Sequence, residues 1–178
     1  KMSSATPLLL QTATDPSAQV RIESAKVLKV MGGVDQLPAM VGLLANAKDE
    51  SERRGLEMSV SAVARRIPTP AKQDEVVLAA YNSRKKPDTR TSFISVLGKI
   101  GSPGSLPVLC KALGDKNAEI RLAAIRALSE WPTAEPYPNL WKVVKTAKER
   151  AHRTLALRGS VRLIGLETKR SSDETIKM

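Results

Sequence analysis

The feature that most constrains this chain is a punctuation that recurs along nearly its whole length. Five segments end in a bulky apolar residue followed at once by Gly or Pro: Met31-Gly32, Ile67-Pro68, Ile100-Gly101, Trp131-Pro132 and Ile164-Gly165. The intervals are 36, 33, 31 and 33 residues. Three positions before each bulky residue stands Leu28, Ala64, Leu97, Leu128 or Val161, and about one turn earlier Ala25, Val60, Ile94, Ile125 or Leu157. Such i, i+3/i+4, i+7 spacing is the stripe of an amphipathic helix. Gly then stops the helix by accepting a left-handed cap, and Pro by being unable to continue it.

A second helix type alternates with the first. Leu37-Pro38, Leu106-Pro107 and Tyr137-Pro138 follow three of the markers by six and seven residues. Pro in a first turn sacrifices no hydrogen bond, so these pairs mark helix starts. The pattern predicts first helices near 6–13, 37–46, 72–83, 105–113 and 137–147, and second helices near 17–31, 50–67, 88–100, 117–131 and 149–165. Ser172-Asp173-Glu174 predicts the N-cap and acidic first turn of a further helix over 172–178, so the chain is expected to be part of a longer array.

Composition agrees with this reading. Apolar residues make up 42 % but aromatics only 3 %, so the core is expected to be Leu, Val, Ile and Ala in closely packed short helices. A single helix pair cannot bury its apolar stripe on both sides, so each pair needs the next. The expected fold is therefore all-α: one α-α superhelix of about five helix pairs, with repeats near 6–31, 37–67, 72–100, 105–131 and 137–165. The second helices are expected to line its concave side. No apolar run approaches the roughly 18 to 20 residues that cross a bilayer, and nothing at the N-terminus reads as a signal peptide. A soluble chain is expected, with its compartment open.

These residues resemble the HEAT repeat family, and its short bacterial members known as phycobiliprotein-lyase-like HEAT repeats. The match rests on Asp115-x5-Arg121 followed by LAAIRAL, and on Asp15-x5-Arg21 followed by IESAKVL. The resemblance implies a ladder of ion pairs and hydrogen bonds between neighbouring repeats, carried by Asp15, Arg21, Arg90, Asp115, Arg121 and Arg153. Arg90 has no Asp six residues before it, Glu57 stands where the second repeat should have Arg, and Arg153 is one position off. The resemblance also implies a scaffold or binding surface, with nucleic acid or bilin chemistry in some members.

Catalysis is not expected. One histidine and one cysteine exclude a Cys/His zinc site, and no phosphate-binding glycine loop is present. Cys110 falls on the apolar side of LPVLCKAL, and His152 lies among Arg150 and Arg153, a poor setting for a general base. Trp131 shares the slot of Met31 and Ile100 and is expected in the core, and Trp141, in a first helix, is expected to be packed rather than exposed. No catalytic, cofactor or metal site is therefore expected.

The net charge is +11, and residues 140–178 contribute ten basic and four acidic residues of it. That excess favours acidic partners. The polar positions of the second helices give a candidate partner-binding row of Lys26, Arg66, Lys99, Arg126, Arg158 and Arg162. The function expected is a non-catalytic scaffold that binds a protein or acidic partner, with nucleic-acid binding on a basic concave face as the alternative. The chain is expected to act as a monomer or as one part of a larger multidomain protein.

Overall fold

The computed structural model describes residues 5–166, which form ten α-helices and, among the described residues, no strand. The first helices are α1 (Ala5–Thr12), α3 (Leu37–Ala45), α5 (Glu75–Ser83), α7 (Ser105–Ala112) and α9 (Tyr137–Thr146). The second helices are α2 (Ala18–Met31), α4 (Glu50–Ala64), α6 (Pro87–Ile100), α8 (Ala118–Ser129) and α10 (Arg150–Ile164). The helix expected over 172–178 lies outside the described residues.

Local chemistry explains the boundaries. Pro38, Pro87 and Pro138 sit in the first turns of α3, α6 and α9, where no intrahelical N–H is lost. Asp49 caps α4 by accepting from the Glu52 N–H, and Asn117 caps α8 by accepting from Glu119 and Ile120. Gly101 ends α6 in the left-handed conformation, φ 71°, that a side chain would strain. α5 starts later than its pattern predicts because Pro70–Lys72 forms a short 3-10 turn.

Each first helix packs on its own second helix, and the second helices stack consecutively as α2, α4, α6, α8 and α10. The stack is an α-α superhelix whose core runs unbroken through the repeats, from Leu28 and Leu56 through Val60, Phe93, Leu97, Ile125 and Leu128 to Leu163. Trp131 is buried in it at 2 % exposure.

Small residues set how closely the second helices approach. A Cβ built on Gly98 of α6 would lie 2.5 Å from the Cβ of Ala127 on α8, and one on Gly159 of α10 would run into Ser129 of α8. Gly159 and Ser160 also explain a correction to the expected stripe. Leu157 and Val161, read as core positions, are exposed at 44 % and 63 %; Ala156, Gly159, Ser160 and Leu163 are buried instead. α10 presents its smallest residues to α8, and that close approach turns the two larger ones outward.

Candidate functional site

Two constellations follow from this stacking: polar seams that join the repeats, and a groove across the middle of the second-helix layer.

The seams use guanidinium groups in one recurring way. Arg21 donates to the Asp15 and Pro16 carbonyls of its own turn, both at 2.9 Å, and reaches Glu52 at 2.9 Å and Asp49 at 3.3 Å in the next repeat. Arg121 repeats the geometry, donating to the carbonyls of Asp115 and Lys116 and pairing with Glu149 of the following repeat. Arg90, with no Asp six residues before it, donates to the Tyr81 hydroxyl and lies 4.8 Å above its ring. Its ion partner is Asp115 of the next repeat, at 3.0 Å. Asp115 thus meets the side chain of Arg90, while Arg121 meets only its carbonyl. The Asp15 carboxylate accepts from the Ser17 N–H, and Arg153 is exposed with no ion pair among the described residues.

The seam between α4 and α6 is built differently. Arg53 holds on α4 the place that Arg21, Arg90 and Arg121 hold on their helices, but pairs with Glu50 of its own helix. The repeats are joined one turn further on, where Glu57 accepts from Ser95 at 2.6 Å and Lys99 at 3.1 Å.

A second set of arginines closes helix ends. Arg66, in the turn that follows α4, donates to the carbonyls of Lys29, Val30 and Gly32 at the end of α2. Arg162 of α10 donates to Ser129 and Trp131 at the end of α8, and Arg65 to Lys99 near the end of α6. Carbonyls at a helix C-terminus lack intrahelical donors and carry partial negative charge, so a guanidinium from the neighbouring repeat satisfies both needs. Sequence reasoning missed this role for Arg66 and Arg162. It also missed Asp74, 1 % exposed, which accepts from Ser105 at 2.7 Å and ties the loop before α5 to the start of α7.

Two carboxylates of the seams, Asp115 and Glu149, are stabilised as anions. Asp115 is held below the usual carboxylate range by the backbone N–H of Asn117, against partial burial, and further by Arg90. Glu149 is likewise lowered, by its own backbone N–H and then by Arg121. A depressed folded-state pKa adds stability above the unfolded value, and this is lost as pH falls through the folded one. The melting temperature should therefore fall as pH drops below about 4, the ordinary carboxylate range. Asp115→Asn should be less stable than wild type at pH 7 and should show a shallower acid limb, read by thermal unfolding followed by circular dichroism.

The groove is a depression of about 1040 Å³ over α4, α6 and α8. Its charged lining is balanced: Glu50, Glu57, Asp88, Glu119 and Glu130 against Arg53, Arg54, Arg65, Lys99 and Arg126. Leu122, Ala123, Gly98 and Ala127 supply apolar surface between them. The six residues read as one basic row are distributed accordingly. Arg66 and Arg162 serve helix ends, Lys99 is paired with Glu57, and Lys26 pairs with Glu23 on its own helix at 2.7 Å. Arg126 lines the groove with no ion pair among the described residues, and Arg158 is exposed on α10.

Of the two residues weighed for chemistry, Cys110 is half-buried and His152 buried. The Cys110 thiol is pushed up by burial, which weakens it as a nucleophile at neutral pH. His152 is 5 % exposed, its Nδ1 3.3 Å from Glu149. Trp141 stacks on Tyr137, with ring centroids 6.1 Å apart, and Lys145 lies over its ring.

Paired helices, a stacked second-helix layer and arginine-bridged seams define an α-α solenoid of repeats. Residues 75–159, covering most of the third to fifth repeats, match the family model described as HEAT repeats. No curated protein matches the chain. HEAT repeats generally serve as protein-interaction scaffolds and are typically non-catalytic. No described helix is long and apolar enough to cross a membrane.

Proposed function

We propose that the chain is a non-catalytic binding module whose groove over α4, α6 and α8 takes an extended segment of a partner protein. The observation that carries this reading is the charge balance of the groove, five acids and five bases around apolar patches. A surface of alternating sign gives no strong net field but rewards a partner segment with the complementary alternation, which is how polar complementarity confers specificity. The Leu122 and Ala123 side chains supply the apolar contact on which affinity depends, and Arg126 is a cation of the same lining with no ion pair among the described residues. A polyanion gains little here, because the five cations of the lining are matched by five acids. The spacing of Asp115 and Arg121 supports placing the repeats among the short bacterial phycobiliprotein-lyase-like HEAT repeats.

Peptide selection tests the proposal. A phage-displayed random peptide library panned on the immobilised chain should enrich sequences with both charge signs. Binding of the selected peptides should fall at least about tenfold, or 1.4 kcal/mol, in Arg126→Glu and in Leu122→Asp. Both variants should keep the wild-type circular dichroism. Absence of enrichment, or binding that survives both substitutions, would refute the groove as the site.

A further inference from the structure

The balanced groove leaves the +11 net charge to be found elsewhere. Six cations of it stand along the edge formed by the turns between the two helices of the second to fifth repeats. The seam contacts place these turns side by side: Arg21 reaches the turn over 46–49, Arg90 the turn over 113–117, and Arg121 the turn over 147–149. Thr89, at the start of α6, approaches the Ala45 carbonyl and sets the turn over 84–86 beside that over 46–49.

Those same seams neutralise the acids of the edge. Asp49, Asp115 and Glu149 each have a guanidinium partner, whereas Asp88 and Glu119 line the groove. Lys48, Arg84, Lys85, Lys86, Lys116 and Lys148 remain, all exposed and in no ion pair among the described residues. Each of the last four turns therefore presents at least one uncompensated cation. Neighbouring helices pack about 8–10 Å apart, so four turns cover about 30 Å, close to one turn of duplex at about 34 Å.

We propose that this turn edge binds the phosphate backbone of duplex nucleic acid, without reading its sequence. Two features favour phosphates over an acidic protein. The cations are mostly lysines, point charges on flexible stems that suit dispersed single anions. Between them stand small or polar residues such as Asn46, Ser83 and Gly114, and none of the exposed large apolar side chains of the described residues lies in these turns. Neutralising phosphates releases counterions and needs no such anchor.

Fluorescence anisotropy with a labelled 20-base-pair DNA duplex, titrated from 25 to 200 mM NaCl, measures this. Four to six phosphate contacts predict a log–log salt slope of about −4 to −5. Lys85→Glu/Lys86→Glu/Lys116→Glu/Lys148→Glu should weaken binding at 50 mM NaCl by more than about tenfold and flatten the slope. The corresponding Lys→Gln variant should show a smaller loss in the same direction, and circular dichroism should confirm that both are folded. Arg126→Glu in the groove should leave DNA binding unchanged, which separates this surface from the peptide site. No binding at 25 mM NaCl would overturn the proposal, as would binding indifferent to the quadruple reversal or equally lost in Arg126→Glu. Competition by poly-glutamate as effective as that by unlabelled duplex would assign the edge to acidic proteins and overturn it too.

Discussion

Gly98→Ala should destabilise the protein, whereas Gly55→Ala should leave it unchanged or stabilise it. On helix propensity alone both changes gain about 0.8–1 kcal/mol, because glycine loses the most backbone freedom in a helix. Packing decides the sign. At Gly98 the added carbon would lie 2.5 Å from the Ala127 Cβ and 2.9 Å from its Cα, atoms that no side-chain rotation can move aside. α8 must back away from α6, which opens the core around Leu97 and Ile125. Overpacking of this kind costs about 1–3 kcal/mol, more than propensity returns at the upper end. At Gly55 the nearest atom is the Ala25 Cβ at 3.4 Å, an ordinary contact. Thermal unfolding of the two variants side by side checks the claim, at roughly 2–4 °C per kcal/mol for a domain of this size. Equal shifts in the same direction would show that the second helices are not packed as closely as described.

Arg21→Ala should be the most damaging of the seam substitutions. It removes the partner of Glu52, whose side chain is 5 % exposed between the first two repeats, and leaves the Asp15 and Pro16 carbonyls without their donor. A buried carboxylate stripped of its cation keeps its desolvation penalty without the compensating attraction. A fall of several degrees in melting temperature is expected. Arg54→Ala, which breaks an exposed pair with Glu50 within one helix, should barely register. The double variant Arg21→Met/Glu52→Leu should recover much of the loss, because replacing a buried pair by apolar side chains removes the stranded charge. If the double variant were worse than Arg21→Ala, the seam would depend on more than this pair.

The helix pairs were legible in the sequence because their signal is periodic and local. Pro38 and Pro138 announce helix starts, Gly101 announces an end, and Trp131 shares a slot with Ile100. Less was legible where the outcome depends on a neighbouring repeat. Asp115-x5-Arg121 marks a ladder between neighbouring repeats, but not that Asp115 meets Arg90 of the repeat before it and Arg121 meets Glu149 of the repeat after it. Arg66 and Arg162 look like free surface cations because their acceptors are backbone carbonyls, which leave no mark in a sequence. Leu157 and Val161 keep the helical period of the core stripe, and only the close approach that Gly159 allows α10 decides that they face outward. The groove was hidden for a related reason. Its acids and bases lie on three helices, and reading the basic positions of each helix alone left out the carboxylates facing them.

Isothermal titration of one selected mixed-charge peptide, at 50 and 200 mM NaCl, tests the binding-module account most directly. A charge-balanced groove with an apolar floor predicts one site, an affinity that changes by less than about threefold between the two salts, and a loss of at least about tenfold in Arg126→Glu. An affinity that collapses between 50 and 200 mM, or that is untouched by Arg126→Glu but lost when the turn lysines are reversed, would contradict it.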